Sequence, residues 1–181
     1  MMLLTTERYD GLAVRVLTSE DAEDFKHLRL EALAMERGAY LADALHDFEL
    51  SACQWKDRCR DGGRIRVLGL SFGTSSQLIG ITGFQPCPSD SSGRTALFRG
   101  TYVQRPFRGL GYGHLLNKCR YAMAQQFFSQ ATVVHGVNNA AAIAITRSLG
   151  GVLVDTISDV WTDGKTATGN VYRVPLCVWS Q

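Results

Sequence analysis

The stretch VQRPFRGLGYGHLL, Val103 to Leu116, sets three alternate glycines behind an arginine and then turns apolar. Glycine lacks a Cβ, so its backbone takes φ > 0 easily and its N–H approaches a ligand closely. From His114 onward Leu115, Leu116, Cys119, Met123 and Phe127 recur at helical spacing, the apolar stripe of an amphipathic helix. A glycine loop feeding a helix N-terminus gathers N–H donors and a partial positive charge of about +0.5, which suits an anion. A tight strand-to-helix turn, with glycines needed only for packing, is the other reading of the same residues. The dinucleotide fingerprint needs GxGxxG, and the spacing here is GxGxG. A Walker loop ends in Gly-Lys and a hydroxyl residue, whereas Gly113 is followed by His114.

Strand patterns lie on either side of this loop. Ala96–Val103 predicts a strand leading into it, and Thr132–Val137 a short β-branched strand after the helix. Further back, Leu12–Leu17 alternates as a strand. Thr18 or Ser19 then opens a helix with Glu20 and Asp21 in its first turn and Phe25, Leu28, Leu30, Leu33 and Ala34 on its apolar face. A second helix is expected over Ser51–Cys59. Arg64–Phe72 and Gln77–Phe84 read as strands around a turn at Gly73–Ser76, and Cys87–Thr95 as a surface turn. Ala140–Leu149 reads as a helix stopped by Gly150-Gly151. Val152–Trp161 and Asn170–Val178 frame Asp163-Gly164 as a final antiparallel pair. Strands at both ends with a β-α-β-α unit between them predict an α/β (α+β) domain, a mixed sheet with helices on its faces.

Composition narrows the function. The 181 residues fit one domain, expected over 12–178, with 45% apolar and 20% charged residues. A net charge of +2 without a dense basic run lacks the footprint of a nucleic-acid binder. No apolar run approaches the roughly 20 residues that cross a membrane, and MMLLTTE is a poor secretory leader. Five scattered cysteines form neither a CxxC pair nor a metal-ligand spacing with the four histidines. Reduced thiols, a cytoplasmic setting and no metal are therefore expected.

Arg108–Gly113 resembles the Q/R-x-x-G-x-G/A signature of the GNAT superfamily of acyl-CoA-dependent N-acetyltransferases. Val103 stands where that family ends the preceding strand. Asn139-Ala-Ala-Ala142-Ile143-Ala-Ile145-Thr146-Arg-Ser-Leu149-Gly150-Gly151 resembles its second motif, N-x-x-A-I-x-L-Y-x-x-x-G-F. The resemblance is specific over about 101–151 and looser over 12–178. It implies a mostly antiparallel sheet splayed open between Ala96–Val103 and Thr132–Val137, with helices on both faces. Acetyl-CoA would lie in the gap, its pantetheine against Tyr102 and Val103. Its diphosphate would meet the backbone of Arg108, Gly109, Leu110, Gly111, Tyr112, Gly113 and His114, and Asn139 would bond the pantetheine or nearby backbone. The implied acceptor is a primary amine of a small molecule or peptide, and a homodimer is common in the family. A CoA-binding sensor or structural module with weak or lost catalysis is the alternative.

The catalytic groups depart from the family pattern. An ammonium with a pKa near about 10.4 must lose its proton before attack, and a leaving thiolate near about 8.5 benefits from gaining one. Where the family carries a tyrosine acid the chain has Thr146, and Ala96–Val103 holds no carboxylate. Tyr102 and His135 are the candidate catalytic residues, each with a structural reading beside it: a packed strand tyrosine and a hydrogen-bonded histidine. Asp43, Asp47 and Glu49 stand where the family builds its acceptor wall, and read either as an amine attractor or as a solvated acidic face. Ser148 reads as helix surface and Cys119 as core.

Overall fold

The computed structural model describes residues 11–60, 64–72 and 77–176. Its strands are β1 (Leu12–Val16), β2 (Arg66–Phe72), β3 (Leu78–Pro86), β4 (Thr95–Val103), β5 (Gln130–Gly136), β6 (Val152–Val160) and β7 (Thr166–Pro175). They pair in the order β1-β2-β3-β4-β5-β7-β6. Only β4 and β5 run parallel; the other neighbours are antiparallel. Parallel neighbours need a crossover, and α3 (Tyr112–Ala124) provides it. The turn expected at 73–76 and the residues expected to end the last strand at 177–178 lie outside the described residues.

Helices α1 (Ala22–Met35) and α2 (Ala52–Cys59) pack on one face of the sheet. Phe25, Leu28 and Trp55 meet Leu17, Leu78, Ile81 and Tyr102 there. On the other face Leu115, Leu116, Cys119 and Met123 of α3 meet Leu70, Ile79, Phe84, Phe98 and Val103. Helix α4 (Ala140–Ser148) lies beside α3. The caps follow local chemistry: Thr18 and Asp21 form a capping box before α1, and Ser51 and Gln54 another at α2. Among the described residues no helix is long and apolar enough to cross a membrane.

Two expectations need correction. The buried face of α1 includes Arg29 and Ala32, while Ala34 is exposed and Leu30 only half-buried. The acidic group does not act as a unit. Asp47 lies in a 3₁₀ segment, Ala42–Glu49, and is 1% exposed. It pairs with Arg29 at 2.8 Å and Arg58 at 2.7 Å, so it is neither a solvated face nor an amine attractor. A buried carboxylate is retained only where cations and hydrogen bonds compensate it.

Candidate active site

The sheet opens at its centre. β4 and β5 pair only over Thr95–Leu97 and Gln130–Thr132, yet both continue, to Val103 and Gly136. β4 also carries a bulge. Gly83 pairs with Arg99 and Ile81 with Tyr102, leaving Thr82 opposite both Gly100 and Thr101. Gly100 has φ +68, a conformation that other residues adopt only with strain. The extra residue re-aims the strand. Arg99 turns toward Gln85, while Thr101 bonds Thr82 and Arg120.

Beyond Val103 the chain passes Gly109 at φ +78 and Gly111 at φ +84, the N-cap of α3. No side chain caps this helix. Among the described residues the N–H groups of Gly109, Leu110, Gly111, Gly113 and His114 donate to no backbone acceptor outside the helix's own ladder. Such a row at a helix N-terminus is an anion cradle. Arg108 is turned away from it. Its Nε donates to the Val103 carbonyl at 2.8 Å, its Nη2 meets Glu36 at 3.0 Å, and its guanidinium covers the Tyr102 ring.

A groove of about 440 Å³ follows the opening. Tyr102, Val103, Arg108, Gly109 and Gly111 line one part of it, and Tyr112, Gly113, His114, His135 and Asn139 another. Leu110 does not line it, and its side chain is 56% exposed. Asn139 accepts from the Ala142 N–H at 3.2 Å and so caps α4. Burial, and secondarily Lys118, lowers the His114 pKa.

Tyr102 and His135 have different surroundings. The Tyr102 hydroxyl donates to Glu31 at 2.7 Å, and Glu31 also accepts from Gln104 at 2.9 Å. Burial, and then this bond to Glu31, raises the phenol to about 12. His135 Nε2 lies 2.8 Å from the Thr146 hydroxyl. Burial, helped by Arg120, lowers the imidazole to about 4, so the ring is neutral at neutral pH. The structure thus brings together the residue at the family's tyrosine position and the histidine candidate.

Five residues were missed in the sequence: Tyr40, Glu36, Arg120, Asn117 and Arg29. Tyr40 stands in the groove, its hydroxyl 3.4 Å from the Thr101 carbonyl. Glu36 lines the groove and holds Arg105 and Arg108. Arg120 is buried and donates to Thr101 at 3.0 Å and to Asn117. Asn117 donates in turn to the Gly113 carbonyl at 2.7 Å, so a polar chain links the glycine loop to the bulge. Arg29 had one visible signal, a charge interrupting the apolar face of α1; Glu36 and Tyr40 had none.

No family model and no curated protein matches this chain, but solved structures share its fold. The acetyltransferase of the GNAT family from Streptococcus pneumoniae superposes with a TM-score of 0.76 at 13% identity, covering 91% of this chain and 98% of that one. The ribosomal-protein-alanine N-acetyltransferase from Brucella melitensis gives 0.72 at 22% identity over 90% and 98%. RimL, the ribosomal L7/L12 alpha-N-protein acetyltransferase in complex with coenzyme A, gives 0.73 at 14% identity over 96% and 98%. The chain has the GNAT fold.

Proposed function

We propose that this GNAT-fold chain is a single-domain enzyme, residues 12–178, that transfers the acetyl group of acetyl-CoA to a primary amine of a small molecule or peptide. The observation that carries the reading is the set of N–H groups of Gly109, Leu110, Gly111, Gly113 and His114, which among the described residues donate to no backbone acceptor outside the helix's own ladder, beside the opening between β4 and β5. Donors held toward an open groove suit a diphosphate, and an unpaired strand edge suits an amide-bearing arm. The residues present therefore fit CoA. The ribosomal-protein acetyltransferases among the structural neighbours support a peptide amine among the acceptors.

Acetyl-CoA supplies the thioester as the activated acyl donor. The chain's own part begins with the glycine loop, whose N–H groups hold negative charge without needing a cationic side chain. The end of β4, Thr101, Tyr102 and Val103, lines the groove with backbone groups suited to polarising a carbonyl. Of the groove carboxylates, Glu36 is occupied by Arg105 and Arg108. A neutral His135 backs the Thr146 hydroxyl, a weak acid. The amine therefore sheds its proton to water, and much of the acceleration comes from holding the reactants together.

Two measurements test this. Calorimetry is expected to show CoA binding to the parent protein and at least tenfold weaker binding to Gly111→Val, because valine strains a φ of +84. Circular dichroism should show that the variant is still folded. Mixing the parent with acetyl-CoA and a panel of amines is expected to release thiol only when an acceptor is present. Unchanged affinity in the variant would return the glycines to packing, and CoA binding without thiol release would favour a sensor.

A further inference from the structure

We infer that the acceptor carries a carboxylate close to its amine, and that Arg99, backed by Arg29, binds it. The inference rests on the acetyltransferase reading and names the substrate class of that site. Arg99 immediately precedes the bulge glycine. It lines a small cavity of about 130 Å³ together with Arg29, Tyr40, Asp43, Gly100 and Trp161. Tyr40 also lines the main groove, and a further cavity of about 100 Å³ shares Tyr40, Arg99 and Gly100 with the small cavity and Tyr40, Thr101 and His135 with the groove. A second cavity of about 110 Å³ reaches Arg29, Arg58 and Arg99 from the α1 side.

The charges around this point do not balance. Arg29, Arg58 and Arg99 converge, and Asp47 spends both its oxygens on Arg29 and Arg58. Asp43 lines the cavity but is itself exposed. These three arginines against the two carboxylates leave one positive charge over among the described residues. Among the described residues Arg99 meets no carboxylate within ion-pair distance, and its one hydrogen bond goes to Gln85, at 3.3 Å. Arg29 Nη1 is buried without a partner. A Cβ at Gly100 would lie 3.7 Å from that nitrogen, so it sits against the bulge. Burial, followed by the charges of Arg29 and Arg58, lowers the Arg99 pKa, while Asp47 and Asp43 oppose the shift.

A half-buried guanidinium with no carboxylate paired to it among the described residues is costly to keep. Its planar fork matches a carboxylate through two parallel hydrogen bonds. A small anion on Arg99 would supply the missing charge, and it would hold an attached amine near Gly100 and Thr101, which line the cavity that shares Tyr40 and Thr101 with the groove. An amino acid has this chemistry.

The test compares the common amino acids with their carboxamides and with phosphoethanolamine, on the parent protein, R99Q and R99K. Calorimetric binding of each compound is measured separately from acetyl transfer. The parent is expected to favour carboxylates over their carboxamides by at least about thirtyfold in binding and in kcat/KM. R99Q should lose that preference while its CoA affinity stays unchanged, and R99K, with charge but no fork, should fall between. Since R99Q removes a surplus charge, it is expected to melt no lower than the parent. Equal binding of acids and carboxamides, preference for phosphoethanolamine, or a preference that survives in R99Q would overturn the inference. Carboxylate-selective binding without acetyl transfer would keep the site and remove the acetyltransferase reading instead.

Discussion

His135 Nε2 and Thr146 Oγ1 stand 2.8 Å apart, joining β5 to α4 at the wall of the groove. The histidine is mostly buried and near the Arg120 guanidinium, and both influences disfavour its charged form.

Stability should therefore depend on His135 in acid. Its folded pKa of about 4 lies below the unfolded value of 6.5, so between these values the unfolded chain binds more protons. The contribution is complete above pH 6.5 and is lost as pH falls toward 4. Urea midpoints measured from pH 7 to 4 should drop less steeply for His135→Gln than for the parent. Equal slopes would mean that the ring titrates normally in the fold.

The rate of acetyl transfer should rise with pH along the acceptor amine's own titration. An imidazole near 4 adds no inflection between pH 6 and 7. His135→Gln should show the same profile as the parent. Thr146→Ala should lose less than about a hundredfold in kcat, the lower end of a general-acid contribution. A larger loss in a variant that still binds CoA would mark Thr146 as the acid, and an inflection removed in His135→Gln would mark the histidine as the base.

Breaking the Asp47 pairs should be severe. The side chains of Asp47 and Arg29 are 2% and 6% exposed. Asp47→Asn strands two guanidiniums, and loss of one partner from a buried pair costs about 3–5 kcal/mol. Arg58 is 32% exposed, so Arg58→Met should cost about 1 kcal/mol or less. Denaturant unfolding of both variants checks the order.

Gly150 and Gly151 should respond to alanine for different reasons. A Cβ on Gly150 meets nothing within 4 Å, but its φ is +82, which costs about 1–2 kcal/mol. A Cβ on Gly151 would lie 2.5 Å from Thr146 Cγ2 and 2.7 Å from its carbonyl oxygen. That clash should cost about 1–3 kcal/mol and displace Thr146 from His135. Thermal melts give the costs, and only Gly151→Ala should raise the His135 pKa in an NMR titration.

The legible parts of the sequence were those in which one stretch carries its own signal. The glycines at 109, 111 and 113 announce a loop before an amphipathic helix, and Thr18 and Ser51 announce their helix starts. The opening of the sheet was implied by the family resemblance and is seen in the short pairing of β4 with β5. The 3₁₀ segment at Ala42–Glu49 was not legible, because eight residues are too short a run for their spacing to announce a helix.

The sequence by itself determined the order of the main strands and helices and a glycine loop at the foot of α3, although α3 ends at Ala124, short of Phe127, and the last strand begins at Thr166 rather than Asn170. Those properties follow from backbone freedom and side-chain periodicity, which act between near neighbours in the chain. Only the tertiary structure decided that Asp47 is buried, that among the described residues no carboxylate pairs with Arg99, and that Thr146 rests on a neutral histidine. Burial and charge depend on which residues from distant parts of the chain remove water from a group or face it. No spacing along the chain encodes that before the sheet and its helices pack.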